Sequence, residues 1–160
     1  MEMYTRRSIG RVTEGLLLRI AENVDIVEPV SKFTDRLKAT TGVRTIFNVG
    51  LEDWQPPEGI EYDLIWTQWC LGHLTDSQLV DYLQLCKTVL KPDTGVIVIK
   101  ENLSTGSVDM FDNEDSSVTR SVHTLTSAAI RRLKLIVCSV PANGSADEMR
   151  RFGISLKRQG

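Results

Sequence analysis

Residues 62–90 constrain the fold more tightly than any other part of this 160-residue chain. The stretch from Tyr62 to Trp66 turns into an unbroken apolar run after Asp63, with no polar face to offer water, and is expected as a buried strand. Thr75 is the expected N-cap of a helix from Asp76 to about Leu90. Leu79, Tyr82, Leu83, Cys86, Val89 and Leu90 recur there at the helical period. Between strand and helix lie Gln68, Trp69 and His73, two polar groups and a large ring where a packed core would have none. Such residues belong at the carboxyl end of a strand in an α/β sheet, the usual place for a ligand.

The rest of the chain repeats the alternation. Met1 to Arg7 is too short and polar for a strand. Val12 to Glu22 reads as a helix with Leu16, Leu17, Leu18 and Ile20 on its apolar face. Val24 to Val27 is a short strand ending at Glu28-Pro29. Ser31 is the expected N-cap of a helix through Ala39, stopped by Gly42. Val43 to Val49 is the next strand. After the turn Lys91 to Gly95 comes the buried strand Val96 to Ile99, which ends in Lys100-Glu101-Asn102. A polar loop from Ser104 to Asp115, a helix from Ser116 or Ser117 to about Arg132, and a strand from Leu133 to Val140 follow. Phe152 to Leu156 reads as an edge strand. Strands alternating with helices mean an α/β fold with a doubly wound parallel sheet, built as one domain over residues 1–160.

An apolar content of 41% is enough for a core. A net charge of -2 from well-mixed acids and bases points away from nucleic-acid and membrane surfaces. No run is long enough to span a bilayer, and Met1 to Gly10 has no signal-peptide pattern. Cys70, Cys86 and Cys138 fit neither a disulfide framework nor a metal spacing, so a reducing compartment, cytoplasm or nucleus, is expected.

The strand ends carry the candidate chemistry. Glu28 lies 18 positions beyond Gly10, close to the spacing of about 20 at which an acid beyond a glycine turn holds a ribose diol. A solvated loop acid fits the same place. Gly50-Leu51-Glu52 could read an adenine edge or be a simple turn, and Asn102 could face the site or cap a loop. Asp109, Asp112, Glu114 and Asp115 form an acidic run. Beside Trp69 and His73 they suit a cationic substrate, since carboxylates and ring faces both attract ammonium groups. A solvated charge cluster is the commoner reading of such an acidic run, and a satisfied structural histidine the commoner reading of His73.

Three motifs give the chain a specific resemblance: Ile65-Trp66-Thr67-Gln68-Trp69-Cys70-Leu71-Gly72-His73-Leu74-Thr75-Asp76, Val98-Ile99-Lys100-Glu101-Asn102, and Asp112-Asn113-Glu114-Asp115-Ser116-Ser117-Val118. From about Ser8 to Arg120 it resembles the S-adenosylmethionine-dependent protein methyltransferases that modify the α-amino group of N-terminal Xaa-Pro-Lys sequences. The resemblance implies a Rossmann-like class I methyltransferase sheet with S-adenosyl-L-methionine as cofactor. Gly10 and Arg11 would align with the end of the family's glycine-rich loop, the arginine meeting the cofactor's carboxylate. Glu28, Pro29 and Val30 would line the ribose, Leu51 and Glu52 the adenine, and Gln68 the amino-acid end. Trp69 would wall the peptide channel, and Asn102 would hold the peptide's first residue. Asp115 and His73 would take or orient the α-amine proton, and Asp112 and Ser117 would recognise the third-position lysine. An α-amine has a pKa of about 7.7–8.0, so a base need remove only a loosely held proton.

The family also places a strand and a glycine-rich turn just before the segment matching Ser8 to Arg11, where only Met1 to Arg7 stands. The expected sheet therefore lacks its usual first, Gly-rich-loop strand and has two unpaired strand edges. Ser121 to Gly160 matches weakly and reads as shortened. Two alternatives stay open: a catalytically inactive module that binds basic N-termini, and a small-molecule methyltransferase.

Overall fold

The computed structural model describes residues 8–104, 108–121, 123–125 and 135–140, with 8–9 and 135–140 described by backbone alone. The described residues up to Gln55 form one compact unit and those from Pro56 onward a second.

In the first unit α1 (Ser8–Val12) passes through a π-helical turn, Thr13–Leu17, into α2 (Leu18–Ile20). β1 (Val24–Val27) and β2 (Val43–Phe47) are parallel, with Asp25 beside Thr45 and Val27 beside Phe47. Between them run α3 (Ser31–Thr34) and a 3-10 turn, Asp35–Leu37. This helix is shorter than the sequence predicts, and Ser31 is not its cap. Val30 precedes the first turn and has no side-chain acceptor, so no side chain caps the helix. The Thr34 hydroxyl donates to the Ser31 carbonyl at 2.9 Å, bonding side chain to backbone within the same turn. Gly42 then turns the chain into β2 at φ +90°, where a Cβ would meet Leu18 Cδ2 at 2.8 Å. Val24, Ile26 and Leu37 form the buried core, packed by Leu17, Leu18, Val43 and Ile46. Leu37 is fully buried, so Leu37→Ala should cost about 2–5 kcal/mol.

The second unit holds β3 (Leu64–Gln68), α4 (Asp76–Val89), β4 (Val96–Asn102), the hairpin β5 (Met110–Asp112) and β6 (Ser117–Thr119), and β7 (Leu135–Val140). β3, β4 and β7 make a parallel sheet in that order, with Gln68 beside Lys100 and Asn102 beside Val140. β3 begins two residues later than expected because Tyr62 is held outside it. Tyr62 N–H donates to Val89 O (2.7 Å), and Lys91 N–H donates to Tyr62 O (2.9 Å). The helix α4 follows the sequence closely. Thr75 and Gln78 form a reciprocal capping box, and Leu79, Tyr82, Leu83 and Cys86 are buried. Burial pushes the Cys86 thiol up to about 12, which leaves it inert.

The stretch after Asn102 departs from expectation. The predicted loop contains β5, and the predicted helix start at Ser116 or Ser117 is instead a hairpin. Ser116 adopts φ +58° to close the turn, and the β-branched Val118 and Thr119 sit in the returning strand. Helical backbone begins at residues 123–125. The predicted helix beyond Leu125, the tail strand Phe152 to Leu156, and Met1 to Arg7 lie outside the described residues. Among the described residues β1 pairs with β2 alone and β3 with β4 alone.

Candidate functional site

In the first unit the candidate cofactor residues gather at the carboxyl ends of the adjacent strands β1 and β2. Glu28 follows β1 and is half-buried. Its Oε1 accepts the Val30 N–H at 2.9 Å. Asn48 ties this end together, its amide donating to Glu28 O (2.9 Å) and to Thr34 Oγ1 (3.1 Å). Burial raises the Glu28 pKa, and the Val30 N–H opposes that rise. Pro29 and Val30 are exposed beside it. After β2 the chain turns at Gly50, with Asp53 N–H bonded to Gly50 O at 3.2 Å. Leu51 is half-buried and Glu52 exposed. The Glu52 carboxylate folds back onto the Gly50 backbone, where a Cβ would stand 2.5 Å from it. Trp54 closes the turn, buried edge-on to Phe47 with ring centroids 6.4 Å apart.

A ribose needs a carboxylate with an oxygen to spare, and an adenine needs a half-apolar turn beside it. Among the described residues Glu28 Oε2 receives no hydrogen bond, and the Leu51–Glu52 turn follows the adjacent strand. These residues fit a nucleoside. Gly10 and Arg11 differ from expectation. Both lie inside the helical turn α1 rather than in a loop. Gly10 is buried against the Arg36 guanidinium, whose Nη2 would stand 1.4 Å from an added Cβ. Arg36 also pairs with Glu14 at 3.3 Å. Arg11 is exposed.

The second unit holds its own candidate residues around the segment between β3 and α4. Gln68 ends β3 and accepts from Trp66 Nε1 at 3.2 Å. Trp69 takes φ +53°, a left-handed conformation rare for a bulky side chain and costing about 1–3 kcal/mol. Its N–H donates to Lys100 O at 3.0 Å, and the Lys100 ammonium lies 4.9 Å from its ring centroid. His73 ends a 3-10 turn, Leu71–His73, and is exposed. Gly72 in that turn lets β6 approach: a Cβ there would stand 3.2 Å from Val118 O. The approach sets the turn that carries His73 against the start of β6, two residues beyond Asp115. Ser117 holds the Asp115 carboxyl below its usual range, and the His73 charge adds to the effect. Asp115 Oδ1 accepts the Ser117 N–H at 3.0 Å, and Asp112 Oδ1 accepts the Glu114 N–H at 2.8 Å. Asn102 is exposed at the end of β4.

Asp109 does not join this acidic surface. Its Oδ1 accepts from Ser121 N–H (2.7 Å) and Thr124 Oγ1 (3.0 Å), so it braces the helical turn that follows, which Ser121 caps by accepting the Thr124 N–H at 3.2 Å. These bonds, Ser121 N–H first, hold its pKa low.

Two residues that sequence reasoning did not assign hold the segment in place. Glu101 Oε1 accepts the N–H groups of Cys70 (2.8 Å) and Leu71 (3.0 Å). Burial raises the Glu101 pKa, opposed by those two N–H groups and by the charges of His73 and Arg120. Arg120 is 3% exposed. It donates to Leu71 O at 2.8 Å, to Leu74 O, and to Asp76 Oδ1 at 2.9 Å. Placing Glu101 at the carboxyl end of a buried strand was the available signal. Nothing in the spacing marked Arg120. Among the described residues no cluster of three or more His, Cys, Asp or Glu could hold a metal, and no helix is long and apolar enough to cross a membrane.

Parallel strands with an acid and a turn at their carboxyl ends are the setting in which α/β proteins hold a nucleoside. The sequence pattern of the AdoMet dependent proline di-methyltransferase family matches residues 5–144, and the chain belongs to that family. It is 43% identical over 143 residues to the alpha N-terminal protein methyltransferase 1 of Schizosaccharomyces pombe, covering 88% of this chain and 64% of that protein. To the human N-terminal Xaa-Pro-Lys N-methyltransferase 1 it is 40% identical over 145 residues, covering 88% of this chain and 60% of that protein. A solved SAM-dependent methyltransferase of Leishmania major superposes with a TM-score of 0.68 at 34% identity. That match covers 75% of this chain and 48% of the other. The chain thus spans 60–64% of the length of these two curated relatives.

Proposed function

We propose that this chain transfers methyl groups from S-adenosylmethionine to the α-amino group of proteins whose N-termini begin Xaa-Pro-Lys. The observation that carries the reading is the close packing of the 3-10 turn that carries His73 against β6, which directly follows the Asp112–Asp115 turn, in a chain of this family. Glu28 would hold the ribose diol, Leu51 and Glu52 the adenine, and Gln68, Gly10 and Arg11 the amino-acid end. Bound there, the cofactor supplies an electrophilic sulfonium methyl. The protein's task is to deliver an uncharged amine in line with it. Asp115 and His73 take or orient the amine proton, Asn102 fixes the first residue, and Trp69 walls the approach. Asp112 and Ser117 face the third-position lysine. Acceleration comes chiefly from positioning two reactants, with no covalent intermediate on the protein. We read residues 1–160 as one methyltransferase domain acting in the cytoplasm or nucleus.

The test is methyl transfer to a synthetic Xaa-Pro-Lys peptide, followed by mass spectrometry, with the N-acetylated peptide as control. Mass gain confined to the free amine is expected. Methylation of the lysine side chain, or of both peptides alike, contradicts the reading. A second reading, a module that binds basic N-termini without transfer, is favoured by the helical setting of Gly10. It predicts peptide binding with no dependence on cofactor.

A further inference from the structure

Lys100, Glu101 and Arg120 are buried charged residues of the second unit, and two of them grip the segment that carries Trp69 and His73. We propose that Glu101 and Arg120 are positioning residues for methyl transfer, fixing the left-handed Trp69 and the turn that presents His73. The inference rests on the methyltransferase reading above.

A left-handed tryptophan persists only where its surroundings over-determine it. Here three consecutive N–H groups are held by two consecutive residues of β4. Trp69 N–H bonds to Lys100 O, and the N–H groups of Cys70 and Leu71 share Glu101 Oε1. The opposite face of the same segment is held by Arg120, which takes the carbonyls of Leu71 and Leu74 and the Asp76 carboxylate at the start of α4. Leu71 is therefore held at its N–H by a buried anion and at its carbonyl by a buried cation. The turn cannot rotate without stripping a partner from a charge that water does not reach. Neither side chain needs to touch substrate. Each acts through the backbone that aims Trp69 and His73.

The test uses Glu101→Leu, Glu101→Gln and Arg120→Lys in the full chain, with three readouts: amide exchange at Cys70 and Leu71, calorimetric cofactor affinity, and single-turnover transfer to an Xaa-Pro-Lys peptide. In Glu101→Leu both amides should exchange about tenfold faster or more, and transfer should slow by about tenfold or more with cofactor affinity nearly unchanged. Glu101→Gln keeps an acceptor oxygen and should restore most of both. A Glu101→Leu chain with the parental transfer rate, or equal damage in the Leu and Gln variants, overturns the proposal. If circular dichroism shows that Glu101→Leu does not fold, Arg120→Lys decides. A lysine cannot span both carbonyls, so the same split is expected, and an unchanged rate overturns the inference. A parental chain that transfers nothing contradicts the methyltransferase reading instead. Exchange at Cys70 and Leu71 then decides the clamp: protection lost in Glu101→Leu and kept in Glu101→Gln supports it, and unaltered protection overturns it.

Discussion

The Lys100 ammonium lies over the Trp69 ring, 4.9 Å from its centroid, so the aromatic wall expected to greet a substrate cation already holds one of the chain's own. A cation on an indole face contributes about 0.5–2 kcal/mol depending on its exposure, and Lys100 is only 9% exposed. A double-mutant cycle of Lys100→Met and Trp69→Leu, read by urea denaturation, should give a coupling of about 0.5–1 kcal/mol. Strict additivity would mean that the pair adds no stability.

The capping box at the start of α4 should be measurable on its own. Thr75 Oγ1 accepts the Gln78 N–H at 3.3 Å, and Gln78 Oε1 accepts the Thr75 N–H at 2.9 Å. Thr75→Ala should destabilise the chain by about 1 kcal/mol, while Thr75→Ser should leave it nearly unchanged. Equal losses in both variants would assign the effect to the threonine methyl.

The carboxylates predict opposite pH dependences. Burial raises the folded pKa of Glu101. Its charged form therefore costs stability above that raised value, and the cost is relieved as pH falls towards the unfolded value of about 4.3. Asp109 and Asp115 have lowered folded values. They contribute stability above the unfolded value of about 3.9, and it is lost as pH falls through the folded value. In urea midpoints measured from about pH 7 down to about pH 3, wild type should gain on Glu101→Gln through the upper part of the range. Its advantage over Asp109→Asn should shrink at the lower end. Parallel curves for all three proteins would contradict both assignments.

Binding and transfer should separate by residue. Asp115→Asn should reduce transfer by about 10²-fold or more and leave cofactor affinity nearly intact. Glu28→Ala removes a carboxylate that would accept from the ribose hydroxyls, so it should weaken cofactor binding by about tenfold to a hundredfold. Asp115→Asn losing both properties together would remove Asp115 from its role in proton transfer. An unchanged dissociation constant in Glu28→Ala would remove the ribose assignment.

Much of this architecture was legible in the sequence, because period and capping are local. The α4 stripe, Thr75 as its cap, and the strands at Val24 and Val96 all follow from neighbouring residues. The errors fall where distant groups decide. Tyr62 is apolar enough for a strand, yet its backbone bonds to Val89 and Lys91 outside one. Ser117 looks like a helix cap, but the left-handed Ser116 turns it into a hairpin. Trp69, His73 and Asp115 were visible as chemistry on strand ends and loops. Glu101 and Arg120 were not, since their role is to satisfy backbone groups 30 to 49 positions away. Asp109 was visible as an acid but not as the brace of the turn that Ser121 caps, because its partners Ser121 and Thr124 lie across the hairpin.

The most direct measurement is a calorimetric titration of the purified, folded chain with S-adenosylmethionine, repeated with Glu28→Ala. The account predicts saturable binding at one site and clearly weaker binding in the variant. A folded chain that takes up no cofactor, or binds it equally well without the Glu28 carboxylate, would contradict it.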